Sequence, residues 1–146
     1  MELYLSYDDA DQVHGERLKR DLLSVAHEYG YTVWSKQDVI PGGRWQPLMA
    51  EHLRGACLFI PLVSSDFLAS DRCHVETTGA LQLAHGGSLR IVPVILRPCM
   101  WEYSALTGLP ALPANRREVT AWNKQDQAWV SVQGDILKIV RSFLVA

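Results

Sequence analysis

Apolar runs alternate with segments of helical periodicity along the chain. Leu3-Tyr4-Leu5-Ser6-Tyr7 opens it as a short strand, and Asp8, Asp9 and Asp11 supply the acidic residues that suit a helix N-terminus. Leu18, Leu22, Val25, Ala26 and Tyr29 then fall on one face of a helix that Gly30 stops. Tyr31-Thr32-Val33-Trp34 predicts a second strand. The polar stretch Ser35 to Gly43 follows, and its Pro41-Gly42-Gly43 marks a loop. A second helix carries Trp45, Leu48, Met49, His52, Leu53 and Ala56 on one face, with Pro47 tolerated in its first turn. Leu58 to Val63 is continuously apolar, as in a strand covered on both faces, and Pro61 within it predicts a missing ladder bond.

Ser64 to Ala69 reads as a short helical turn. Ser70 or Asp71 caps a longer helix reaching about Ala84, ended by Gly86-Gly87. Ile91 to Leu96 predicts a fourth strand, placed near an edge by Pro93. Arg97 to Pro113, with Pro98 and Pro110, is an irregular connection of a length usually tied to function or linkage. A short strand is expected around Val119-Thr120-Ala121. A helix from Asp126 or Gln127 to Leu144 then turns Trp129, Val132, Ile136, Ile139, Val140 and Phe143 inward. Strands alternating with helices predict an α/β fold, a five-stranded parallel sheet in the flavodoxin-like order 2-1-3-4-5 flanked by helices.

With 146 residues and no internal repeat, residues 1–146 form one domain that needs neither disulfides nor metals for its core. It reads as a bare module of the kind found at the N-terminus of a longer protein. Lys plus Arg number 14 against 16 Asp plus Glu, which argues against direct nucleic-acid binding through a basic stripe. Cys57, Cys73 and Cys99 form no ligand cluster or even-numbered framework, so a reduced compartment and no metal site are expected. No apolar run approaches the roughly 18 residues of a membrane span. A soluble, cytoplasmic domain without membrane contact is the expectation.

In such sheets ligands bind beyond the carboxyl ends of the strands. The chain has no GxGxxG, P-loop, HExxH or GxSxG motif, so dehydrogenase, P-loop NTPase, zinc peptidase and α/β-hydrolase readings lose their signal. Glu76 stands out: it shares a helical face with Cys73 and Ala80, follows the loop after the third strand, and faces a cleft in that reading. The helix N-terminus would help to keep it ionised. The ordinary reading of such a glutamate is a solvated side chain. His74 and His85 lack a partner acid, and scattered histidines usually sit on the surface. Trp45 and Trp101, beside Gly- and Pro-rich loops, are the tryptophans placed to stack on a flat ligand.

These segments, in this order, resemble Toll/interleukin-1 receptor (TIR) domains. Leu5-Ser6-Tyr7 is similar to their (F/I)SY box, and Asp38-Val39-Ile40-Pro41-Gly42 to their BB loop. Ser64 through Glu76 resembles the box that holds the catalytic glutamate of TIR NAD hydrolases. Ile91-Val92-Pro93-Val94 and Trp101-Glu102 complete a likeness that covers essentially the whole chain. The stretch from Leu96 through Pro113 is similar to the bacterial branch, in which TIR modules are fused to sensor domains in antiphage defence.

The resemblance implies the flavodoxin-like TIR fold and cleavage of NAD+ at the nicotinamide–ribose bond, releasing nicotinamide with ADP-ribose or a cyclic ADP-ribose product. It implies Glu76 as the catalytic carboxylate, with Ser6, Tyr7, Asp8, Asp38, Gly42, Arg72, Cys73 and Trp101 at the substrate. Ile40, Pro41, Gly43 and Trp45 become the assembly residues of the BB loop. NAD+ is then a substrate, with no resident cofactor or metal. The other implied partners are further TIR domains, in a homo-oligomer or filament, and a sensor domain or protein. One departure matters: catalytic members often carry Trp four residues before the glutamate, where this chain has Arg72. A non-catalytic adaptor acting through TIR–TIR contacts is the alternative, and the residues alone leave both readings open.

Overall fold

The computed structural model describes residues 1–145. In chain order the elements are β1 (Glu2–Ser6), α1 (Gln12–Leu23), α2 (Ala26–Tyr29), β2 (Thr32–Trp34), α3 (Trp45–Gly55) and β3 (Ala56–Val63). They continue with α4 (Ser65–Ala69), α5 (Asp71–His85), β4 (Arg90–Ile91), β5 (Val94–Ile95) and α6 (Gln125–Leu144). Short 3-10 turns lie at Asp9–Asp11, Lys36–Asp38, Trp101–Tyr103 and Val119–Ala121. Local chemistry explains several boundaries. The Ser70 hydroxyl accepts the Cys73 N–H and caps α5, and Gly30 ends α2 at φ 70°, a left-handed conformation that costs glycine nothing.

The strands form one parallel sheet in the order β2-β1-β3-β4, with β5 also paired to β3, and helices cover both faces. This is the α/β architecture that the alternation of elements predicts. The expected fourth strand, Ile91 to Leu96, is divided into β4 and β5, and prolines explain the division. The Phe59 carbonyl accepts the Val92 N–H and the Val63 carbonyl accepts the Leu96 N–H, both at 2.9 Å. Alternation along β3 turns the nitrogen of Pro61 to this same side, where it has no proton to give. The missing ladder bond expected at Pro61 therefore falls opposite Val92-Pro93, and pairing lapses there.

The strand expected at Val119–Ala121 is a 3-10 turn instead. The outer side of β5 is already occupied: the Ile95 N–H donates to the Leu112 carbonyl at 2.9 Å, and the Leu112 N–H to the Pro93 carbonyl at 2.8 Å. Val119 is left to bury its side chain, with only the Thr120 N–H reaching Leu96.

Period-two alternation along β1 divides the interior into two cores. Leu3, Leu5 and Tyr7 face α1 and α6, packing with Leu18, Leu22, Trp129, Val132 and Ile136. Tyr4 faces the other way, toward α3 and α5, and packs with Trp34, Met49, Leu53, Phe59 and Cys73. Among the described residues no helix is long and apolar enough to cross a membrane.

Gly15 lets α1 lie directly on the Tyr7 ring: an added Cβ would sit 2.6 Å from the ring carbon Cζ. Gly15→Ala should therefore destabilise the domain by about 1–3 kcal/mol through overpacking. Gly134, in α6, has open space at the same position, so Gly134→Ala should be neutral or stabilise by up to about 1 kcal/mol. Urea unfolding of the two variants checks the contrast.

Candidate functional site

The candidate site forms where α5 crosses the even-numbered face of β1. The helical phase turns Cys73, Glu76, Thr77 and Ala80 inward, so the face expected for Glu76 is observed. The sheet supplies the partners. Tyr4 and Ser6, two residues apart, project from the same face of β1 and meet the Glu76 carboxylate. The Ser6 hydroxyl donates to Oε1 at 3.0 Å, and the Tyr4 hydroxyl donates to Oε2. Arg72, one turn earlier on α5, adds an ion pair from Nη1 to Oε1 at 2.9 Å. Its Nη2 donates to the Tyr7 carbonyl at 2.6 Å.

An aromatic column backs this arrangement. The Arg72 guanidinium lies 5.5 Å from the centre of the Trp45 ring. Trp45 stacks on Trp34 with centroids 5.8 Å apart and planes at 23°. Trp34 in turn meets the Tyr4 ring at 4.9 Å. The carboxylate is thus enclosed, with Glu76 only 1% exposed. That corrects two expectations. Glu76 faces no open cleft, and it lies beyond the first turn of α5, where a helix dipole has faded. Its counter-charge comes from Arg72.

Burial pushes the Glu76 carboxyl above its ordinary value of 4.5, opposed by the Tyr4 hydrogen bond, the Arg72 charge, Ser6 and Lys36. Burial beside Glu76 also raises the Tyr4 hydroxyl well above its usual range, so Tyr4 remains a donor. The buried Cys73 thiol is pushed up by its loss of solvent, which keeps it protonated and unreactive. Among the described residues no group of His, Cys, Asp and Glu could hold a metal ion. The arrangement can present one carboxylate, oriented by two hydroxyls and shielded from water, to a positively charged centre.

The other candidate residues divide sharply. Ser6, Arg72 and Cys73 lie at Glu76. Tyr7 contributes only its carbonyl, since its ring is buried on the α1 side of the sheet. Asp8 accepts the Ala10 N–H at 2.9 Å and caps a turn. Asp38 pairs with Lys19 at 2.6 Å and accepts the Ser35 N–H at 3.0 Å. Ile40 to Gly43 form a turn closed by the Gly43 N–H on the Ile40 carbonyl at 2.8 Å, with Gly42 at φ 83°. Pro before a positive-φ glycine is the pattern of a type II turn, and it leaves Ile40 75% exposed at the tip. Trp101 does not reach Glu76: with Tyr103, Leu109 and Arg117 it lines a separate cleft of about 950 Å³ beside β5. His74 and His85 are exposed and pair with no carboxylate among the described residues.

Tyr4, Trp34 and Lys36 escaped the sequence reading. For Tyr4 the signal existed in its two-residue spacing from Ser6. Trp34 and Lys36 carried none, because their role depends on how β2 and its following turn lie beside β1. A second polar cluster ties the carboxyl ends of the strands together. Arg97, after β5, pairs with the buried Asp11 at 2.7 Å and with Asp66 at 3.0 Å, while the Ser64 hydroxyl donates to Asp11.

Comparison with known proteins bears on this geometry. The family model described as TIR domain matches residues 3–131. An uncharacterized protein, y4lF, of Sinorhizobium fredii is 28% identical over 131 residues, covering 89% of this chain and 41% of that protein. The chain thus spans less than half the length of this relative. Among solved structures, the TIR domain of the Toll-related receptor TRR-2 of Hydra magnipapillata superposes with a TM-score of 0.67 at 18% identity, over 95% of this chain and 97% of that one. The CMP N-glycosidase BcmB of Clostridium botulinum superposes with a TM-score of 0.57 at 13% identity, over 90% and 98%. At these identities the two structures share the fold.

The Tyr4 hydroxyl is the sole hydrogen-bond donor to Oε2 among the described residues. Tyr4→Phe should cost about 1–3 kcal/mol by leaving a buried oxygen unpaired. The bond favours the ionised carboxylate, so the loss is fully present above the raised Glu76 pKa and shrinks as pH falls through it. Urea titrations of both proteins across that pH range test the sign.

Proposed function

Because this chain belongs to the TIR-domain family, matched over residues 3–131, we propose that it cleaves NAD+ at the nicotinamide–ribose bond. The observation that carries this reading is the Glu76 carboxylate, buried and oriented by Tyr4, Ser6 and Arg72. In the proposed reaction the electron pair of the glycosidic bond leaves with the pyridinium nitrogen, so nicotinamide departs neutral. Positive charge then develops on the ribose, and a carboxylate held beside it stabilises that charge. Water takes the vacated position and releases a proton, giving ADP-ribose, whereas attack by the substrate's own adenine gives a cyclic product.

Each neighbour has a part. Ser6 and Tyr4 hold the carboxylate plane, and the raised Tyr4 pKa keeps that donor in place at neutral pH. That a CMP N-glycosidase shares the fold supports a glycosidic reaction on this scaffold. No metal or resident cofactor enters the proposed chemistry. We assign Ile40 and Pro41 to assembly, since the type II turn presents them outward. Repeated head-to-tail use of that tip would give an open filament. The resemblance to the bacterial branch supports a cytoplasmic defence effector that carries a sensor region, and the Sinorhizobium relative extends beyond the matched segment.

A non-catalytic adaptor is the second reading, favoured by Glu76 being 1% exposed and already ion-paired. Turnover separates the two. Glu76→Gln should lower nicotinamide release from NAD+ by about 10²–10⁴-fold while the near-ultraviolet signature of the fold persists. Wild-type release by the folded variant would refute the assignment, and no release by concentrated wild-type protein would favour the adaptor.

Assembly gives a further expectation. Specific activity should rise more than linearly with protein concentration, and Ile40→Glu should abolish that rise at no cost in stability, because Ile40 is 75% exposed. Activity assays combined with sedimentation across concentrations check it. Flat specific activity from a monomer would remove assembly from the mechanism.

A further inference from the structure

We propose that Arg72 is an internal plug of the Glu76 site, holding the place at the carboxylate that a cationic ligand must take. The inference rests on the NAD+ reading for its biological meaning, and on the geometry of the free site for its substance. The other groups at Glu76 are buried in the framework: Tyr4 and Ser6 belong to β1, and Cys73 lies on α5 in the second core. Arg72 differs from them. Its side chain is 24% exposed where Glu76 is 1% exposed, so it is the bonded partner of the carboxylate that reaches solvent.

Three contacts hold the plug. They are the ion pair to Oε1 at 2.9 Å, the hydrogen bond to the Tyr7 carbonyl at 2.6 Å, and the Trp45 ring, whose centre lies 5.5 Å from the guanidinium. Removing one partner of a buried ion pair leaves the other uncompensated and strongly disfavoured. Arg72 therefore leaves most easily when a second positive charge arrives in its place. A pyridinium riboside brings that charge, and a neutral base on ribose does not.

The same contacts couple the plug to the assembly loop. Trp45 is the first residue of α3, directly after the Ile40–Gly43 turn and Arg44. Arg44 gives α3 no side-chain cap, so this end is held by the contacts of Trp45 itself, its stack on Trp34 and the Arg72 guanidinium. A displacement of the loop carries Trp45 off the guanidinium and loosens the plug. The apparent affinity of a site open only part of the time falls by the fraction open.

The probe for the experiment is 1-methylnicotinamide, methylated on the ring nitrogen and therefore a pyridinium cation, with no ribosyl bond to cleave. Binding is measured by titration calorimetry on wild type, Arg72→Ala, Trp45→Ala and the double variant Arg72→Ala with Glu76→Gln. The expected result is binding at least roughly tenfold tighter to Arg72→Ala and to Trp45→Ala than to wild type, with the gain lost in the double variant. Should Arg72→Ala fail to fold, Trp45→Ala carries the test alone, because it loosens the plug from outside. Equal affinity for wild type and the single variants, a gain that survives Glu76→Gln, or no binding to any folded variant overturns the proposal. Turnover plays no part in this readout. A tenfold gain without NAD+ cleavage keeps the plug and removes the hydrolase, and cleavage without the gain does the reverse.

Discussion

An ionisable carboxylate with almost no access to water is the constraint around which this domain is arranged. Glu76 could not be buried alone, because the cost of an unpaired charge in a low-dielectric interior exceeds what a domain of this size can absorb. It is buried because β1 offers hydroxyls at alternate positions and α5 offers a guanidinium one turn away. Each partner depends on larger features in turn. The alternation of β1 separates Tyr4 and Ser6 from the Leu3–Leu5–Tyr7 face, and the packing of α3 places Trp45 over Arg72. These supports converge on one carboxylate from both elements.

The polar ties at the carboxyl ends of the strands serve the same arrangement from a distance. Arg97 bridges Asp11 and Asp66 and so joins the segments that leave β1, β3 and β5. These exits set the entry angles of the first turn and of α4, and α4 leads directly into the cap of α5. A small rotation of α5 would move Glu76 relative to the β1 hydroxyls. The site is therefore positioned by both cores together, with no single loop holding it.

Much of this was legible in the chain. Period-two and helical patterns mark β1, α1, α3, α5 and α6, and the Ser70 cap and the Gly86 stop bound α5 closely. The face shared by Cys73, Glu76 and Ala80 also follows from spacing. What spacing could not reveal was depth. A glutamate at the same helical phase can sit at an open cleft or under an arginine, and only the tertiary placement of α3 decides between them. The split of the fourth strand was hidden for a related reason. Pro61 and Pro93 are visible as separate interruptions, but their facing each other across two strands is a property of register. Val119–Ala121 reads as a strand because of an apolar character that reflects a buried Val119, while the sheet edge it would join is taken by Leu112. Likeness to a family segment places Trp101 at the substrate, yet the irregular connection carries it into a separate cleft beside β5.

The interruption opposite Pro61 also bears on solubility. β2 has three residues and β4 two, and the outer side of β5 is taken by Leu112, so the sheet margins are too short and broken to template pairing with another chain. Strand-by-strand extension into fibrous aggregates is disfavoured in the free domain. Any contact between copies would then fall to loops and helices, where it could form and dissolve without a continuous backbone ladder having to be torn apart.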